Sequence, residues 1–281
     1  MTTGSRFLDQ TQVHALGGRA DTYGASLTDD WNCPIVPHGG VVTAVALRAM
    51  AAALDHPDQR LRSVTATFVA AVKPGDVEIE VEVWRRGRSI SQVSASLHNT
   101  GEPEGLRCTA VFGAERRGFE FTELEMPTVP PPEESPSWAD APKGFERQMV
   151  FNFWEQAESR MALGHLPWIS YEPSTSNRAN WFRFNEPPIV DGKWDPLGVV
   201  ALCDTMPGAV AEKLGSGSGW LPPSADLTVH LFGDATSEWI LGHNRAHHVG
   251  DGYASAETVL WDPAGHVLAF ATQVMFFTFI D

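Results

Sequence analysis

The chain has 281 residues, 43% of them hydrophobic, with a formal net charge of −15 and a pI near 5.0. That length can bury a sizeable core as one large domain or two small ones, and the acidic balance argues against nucleic acid or an anionic membrane surface as the main partner, because both are held by basic surface. Cys33, Cys108 and Cys203 lack metal-ligand spacing and sit in apolar surroundings, so they read as reduced core residues of a cytoplasmic protein.

Residues 1–20 hold no apolar core of signal-peptide length. A short strand is expected at 22–27 and a loop rich in Pro and Gly at 31–40. Val41, Val42, Ala44, Val45, Leu47, Met50, Ala51 and Leu54 then recur at helical spacing, which predicts a helix over 39–54. This longest apolar stretch is interrupted by Arg48 and is too short to cross a bilayer. Strands follow at 62–72, 77–85, 89–99 and 106–114. In the second of them Val77, Ile79, Val81 and Val83 alternate with Glu78, Glu80 and Glu82, the period of a half-buried strand. Pro74-Gly75, Arg86-Gly87 and Thr100-Gly101 mark the turns.

From 116 to 143 the pattern gives way to Pro, Glu and Ser, a composition that cannot bury enough apolar surface to fold alone. The expected organisation is therefore an N-terminal repeat (1–115), a Pro-rich linker (116–144) and a C-terminal repeat (145–281). The last opens with strands expected at 145–155 and 178–184, separated by an insertion within 159–181. Next comes an apolar helix at 195–214, with Asp195 as N-cap and Pro196 in its first turn. Its side chains leave no broad polar stripe, so other structure should wrap it. Asp204 stands in the middle of this run, and Pro207 three residues later predicts a break there. A Gly-Ser linker at 215–219 and strands at 225–232, 238–247, 253–261 and 267–279 complete the chain.

The order of elements is repeated, and the residues can be aligned. Val41-Val42 matches Val199-Val200 at offset 158, Phe68 matches His230 at offset 162, and 87–97 matches 250–260 at offset 163. Cys108-Thr109 then falls opposite Ala271-Thr272.

A Gly-rich loop entering an apolar helix, as in His38-Gly39-Gly40-Val41-Val42, followed by a four-strand meander and duplicated in one chain, resembles the double hotdog of the type II acyl-CoA thioesterases. Leu202-Cys203-Asp204, Asp226-Leu227-Thr228-Val229-His230, Leu260-Trp261-Asp262 through Gly265, and Ala271-Thr272-Gln273 resemble that family's stretches in order and spacing. The resemblance implies an α+β double hotdog, each repeat a long helix wrapped by an antiparallel sheet. It also implies hydrolysis of an acyl thioester without a cofactor, by a water set between Asp204, Thr228 and Gln273. The first-repeat counterparts of these three are Ala46, Ala66 and Ala110, although Thr65 and Thr67 flank Ala66. One polar site per chain is therefore expected.

The residue types suit the reaction. A desolvated carboxylate can take a proton from water, while Thr and Gln hold that water as neutral donors and acceptors. Gly39 and Gly40 at the start of the first helix are substrate-binding candidates because backbone N–H groups there can receive an oxyanion, and His38 beside them is a third that reads first as a capping or solvent-facing loop histidine and second as a residue facing the pocket. The acyl group is expected along the apolar helices. The bland alternatives are Asp204 as a cap for a second helical segment, Thr228 as an ordinary strand residue and Gln273 as a partner for a backbone group.

His243, His247 and His248 lack an acidic or Cys partner at metal-ligand spacing, so no metal is expected. Arg85, Arg86 and Arg88 border a hairpin turn and read first as a solvated turn, second as contacts for coenzyme A phosphates. There is no G-x-S-x-G elbow, P-loop or strand-linked G-x-G-x-x-G. A non-catalytic acyl-thioester or lipid binding protein on the same fold is the alternative to the enzyme. A hotdog dehydratase is disfavoured because no His is placed with the acid on a helix. Open sheet edges allow association between copies.

Overall fold

The computed structural model describes residues 4–145, 151–215 and 219–279. Within the first repeat lie β1 (His14–Ala15), β2 (Thr22–Leu27), β3 (Arg60–Phe68), β4 (Gly75–Arg85), β5 (Ile90–Asn99) and β6 (Leu106–Gly113). The second contributes β7 (Ala157–Leu163), β8 (Asn177–Phe184), β12 (Asp226–Leu231), β13 (Ile240–Gly250), β14 (Tyr253–Trp261) and β15 (Val267–Phe276). These form one antiparallel sheet in the order β1-β2-β4-β5-β6-β3-β12-β15-β14-β13-β8-β7. Exchanging β3 with β12, β6 with β15, β5 with β14, β4 with β13, β2 with β8 and β1 with β7 reverses this order onto itself, as a duplication requires. Two short strand pairs stand apart: the hairpin of β9 (Ile189–Val190) with β10 (Lys193–Trp194), and β11 (Trp220–Leu221) with β16 (Thr278–Phe279).

Four helices complete the described elements. The short α1 (Arg6–Gln10), absent from the sequence expectation, places Phe7 in the core against Trp31 and Phe184. Helix α2 (Gly39–Leu54) has the bounds its periodicity predicts, and from 41 to 50 only Arg48 is not buried. The expected helix at 195–214 is broken into α3 (Pro196–Cys203) and α4 (Pro207–Leu214), since Pro207 has no N–H to continue the ladder. The sheet wraps these helices, giving the α+β double hotdog expected from the sequence. No helix among the described residues is long and apolar enough to cross a membrane.

Arg48, the one charge in α2, joins the two helical layers. Its Nη2 lies 2.7 Å from Asp195 Oδ2 and 3.0 Å from Thr11 Oγ1, and Asp195 caps α3 by accepting from Leu197 N. Arg48→Met should strand a largely buried carboxylate and lower unfolding free energy by about 2 kcal/mol, read from urea denaturation; unchanged stability would show that the pair contributes nothing net. At the other end of α2, Arg86 donates to the carbonyls of Ala53 and Leu54, so this turn arginine is a helix cap and not a free cation.

Three expectations fail. The described part of 145–155 is a 3-10 turn (Asn152–Glu155), and 146–150 lie outside the described residues. The strand is instead β7, which runs into the expected insertion; of its inward positions only Met161 is large and apolar, while Ala157 is small and Ser159 polar, so no apolar alternation marks it. The last strand ends at Phe276, with Thr278–Phe279 forming a separate pair. Of the Gly-Ser linker, 216–218 lie outside the described residues.

The Pro-rich segment packs against the sheet. Leu124, Met126 and Val129 pack on an outer-face cluster of Ala179, Trp181, Leu241, Val259 and Trp261, and Trp181 Nε1 donates to Pro130 O at 2.8 Å. The segment covers apolar side chains that point away from the helices.

Candidate active site

The break between α3 and α4 places Asp204 outside helical geometry, at φ −89 and ψ 49, with its side chain only 6% exposed. Three donors converge on its carboxylate. Gly40 N reaches Oδ2 at 2.9 Å, while Gln273 Nε2 at 2.5 Å and Ser224 Oγ at 3.2 Å reach Oδ1. Gln273 Nε2 also donates to Ser224 Oγ at 2.6 Å, and Gln273 Oε1 is buried without a partner among the described residues. Gly40 belongs to the first repeat, and Ser224 and Gln273 belong to the second.

Thr228 is not brought to this cluster. On β12 the inward residues are Leu227 and Val229, both 0% exposed, so period two sends Thr228 to the outer face. There it pairs with Thr65 and Thr272, with its hydroxyl 3.2 Å from Thr65 Oγ1.

Ser224, four residues earlier, occupies the inner position, and sequence reasoning missed it. By strict alternation it should share the face of Thr228. The β12 and β15 register pairs Thr228 with Thr272, yet Ser224 bridges Met275, which shifts the pairing by one residue. Such a slip moves a side chain to the other face. Asp226 Oδ1 accepts from Val274 N at 2.7 Å where the ladder is interrupted. The hydroxyl just after Pro222-Pro223 was the available signal, but the bulge was not.

Gly39 and Gly40 are both places where only glycine fits. A Cβ on Gly39 would lie 2.7 Å from Asp204 Oδ2 and 2.7 Å from Phe68 Cζ. A Cβ on Gly40 would lie 2.7 Å from Ala201 O, so the α2 and α3 backbones are in direct contact. Gly40 N–H is committed to the carboxylate, whereas Gly39 N–H, at the first helical position, has no acceptor among the described residues. Gly39, Phe68 and Ser224 are half-buried and form the reachable rim of an otherwise closed cluster.

His38 is not at that rim. Its ring is buried, stacked on Phe153 at 4.0 Å, and Nε2 lies 2.8 Å from the Asp204 carbonyl oxygen. Burial lowers its pKa against the opposing pull of Asp204, which favours the neutral ring. Cys33 nearby is no nucleophile: burial first, then the Asp204 charge, push its thiol up to about 12. Among the other histidines, His243 Nε2 meets Asn177 Oδ1 at 2.5 Å and His247 Nε2 meets Glu257 Oε2 at 3.0 Å.

The carboxylate is thus held in the break between α3 and α4, with neutral donors from both repeats on its two oxygens. The sequence matches the family model of the acyl-CoA thioesterase N-terminal domain over residues 27–113 and that of the C-terminal domain over 128–277. The chain belongs to the acyl-CoA thioesterase family. It is a thioesterase, and its chemistry is thioester hydrolysis.

Solved structures agree on the fold. A hot-dog protein of unknown function from Alicyclobacillus acidocaldarius is 25% identical, with a TM-score of 0.81 over 97% of each chain. The acyl-CoA thioesterase II TesB2 of Mycobacterium marinum is 18% identical, with a TM-score of 0.76 over 97% of this chain and 98% of its own. The tesB protein of Mycobacterium avium subs paratuberculosis is 17% identical, with a TM-score of 0.75 over the same shares. No curated protein matches the sequence.

Proposed function

We propose that the chain hydrolyses acyl-CoA with a water activated by Asp204 and held by Ser224 and Gln273. The observation behind this reading is the convergence of three donors, from both repeats, on one buried carboxylate. Gln273 Oε1, buried and unpartnered, is free to accept from that water. The water oxygen bonds to the thioester carbon as its proton passes to Asp204, and Gly39 N–H receives the oxyanion. The carbonyl then re-forms, the C–S bond breaks, and the proton moves from Asp204 to the departing sulfur. Acid and thiol are the products.

The role first given to Thr228 passes to Ser224 in this reading. Ser224→Ala should lower kcat about tenfold, the effect of one hydrogen bond on the reacting water, while Thr228→Ala stays within about twofold of wild type. Both are read from free-thiol release with acyl-CoAs of several chain lengths. The reverse ranking would return the role to Thr228. Saturable acyl-CoA binding without thiol release from any of them would favour a binding protein instead.

A further inference from the structure

Behind Asp204 lies an imidazole that the chemistry above leaves unused. His38 is the N-cap of α2, where a side chain ordinarily accepts from the first free N–H groups of its own helix, and it makes no such bond. It reaches across to the other repeat instead, with Nε2 2.8 Å from Asp204 O. A carbonyl oxygen only accepts, so Nε2 carries the ring proton and Nδ1 is bare. Nδ1 has no hydrogen-bond partner among the described residues and faces Asp204 Oδ2 at 3.8 Å, with the His38 side chain 4% exposed.

The Asp204 carbonyl is available because the helix breaks. In a continuous helix it would accept from the N–H of residue 208. Gly208 N bonds Thr205 O at 3.3 Å instead. The Asp204 peptide therefore sits in non-helical geometry, with its oxygen fixed by His38 and its N–H 3.3 Å from Ala201 O. The clamp itself is rigid: the imidazole lies on Phe153 with 13° between the rings, and His38 N donates to Trp31 O at 2.8 Å.

We propose that His38 is a positioning residue for the water-activating carboxylate. Its Nε2–H pins the Asp204 peptide, and its bare Nδ1 offers no proton to Oδ2, leaving that carboxylate to its own donors and to the proton of the reacting water. This rests on Asp204 being the base. A merely structural role would ask only for a side chain that fills the space against Phe153.

The test compares His38→Gln, whose amide nitrogen extends about as far as Nε2, with His38→Asn, whose amide stops at the level of Nδ1. His38→Asn should lower kcat about 10- to 100-fold with KM within about twofold, as expected for a misplaced catalytic group. His38→Gln should recover most of that loss, with both variants showing the same Tm. Wild-type kcat in His38→Asn, an equal loss in both variants, or a loss confined to KM would each overturn the proposal. Asp204→Asn, assayed beside them, separates the failures. Full turnover there removes the base and this proposal together, whereas an inactive Asp204→Asn beside a fully active His38→Asn removes only the clamp.

Discussion

Asp204→Asn is expected to lower kcat by about 10²- to 10⁴-fold while acyl-CoA binding persists, the range a positioned general base contributes. The substitution keeps the shape of the side chain but removes the lone pair that takes the proton. It also places an amide NH2 among donors, since Gly40 N, Ser224 Oγ and Gln273 Nε2 all point at the carboxylate oxygens. Some order at the α3–α4 break should be lost with it. Free-thiol release gives kcat, and the dissociation constant for acyl-CoA shows whether binding survives. Equal rates in the two proteins would keep the enzyme and eliminate Asp204 as the base.

Gly40→Ala should be strongly damaging for the addition of a single methyl. The added carbon would meet Ala201 O at 2.7 Å, Ala201 Cα at 2.8 Å and Ala201 C at 3.1 Å, all of them backbone. No rotamer change relieves a backbone contact, so α2 and α3 must separate, at a cost of about 3 kcal/mol or more. The shift reaches the carboxylate directly, because Gly40 N–H bonds Asp204 Oδ2 and Ala201 O accepts from Asp204 N. A displacement of about 1 Å there can cost about 100-fold in rate. Tm and kcat should fall together, while Gly118→Ala, where an added carbon meets nothing within 4 Å, should change neither. A wild-type Tm in Gly40→Ala would show that the helices can part without penalty.

Much of this architecture was legible because it is written in side-chain periods. Helix α2 was bounded correctly by its apolar repeat, and β4 was located by the alternation of valine and isoleucine with glutamate, although it starts two residues before the expected 77. The duplication reappeared as a palindromic strand order. What escaped was what periodicity does not encode. Strand β7 turns Ser159 inward, where a valine would have announced it. Helix α1 is five residues long and anchored by Phe7 and Leu8, too brief for a period. At the site, Asp204 and Gln273 were named from the family resemblance, and each stands opposite an alanine in the aligned repeat. Ser224 was not, because an offset alignment assumes an unbroken register and the pairing slips by one residue before Thr228.

The break between α3 and α4 also bears on how such a chain changes over generations. Ala46, Ala66 and Ala110 suggest a first repeat that lacks only three side chains, but the difference runs deeper. Position 46 lies inside the uninterrupted α2, where its carbonyl is held by the helix ladder and its peptide is open to no clamp. An aspartate there would point from a regular helix, without the turn that lets Asp204 meet donors from both copies. A working carboxylate there would need a helix-breaking residue beside it, as Asp204 has in Pro207. What the first repeat gives to the cluster is backbone, the Gly40 N–H on Asp204 Oδ2.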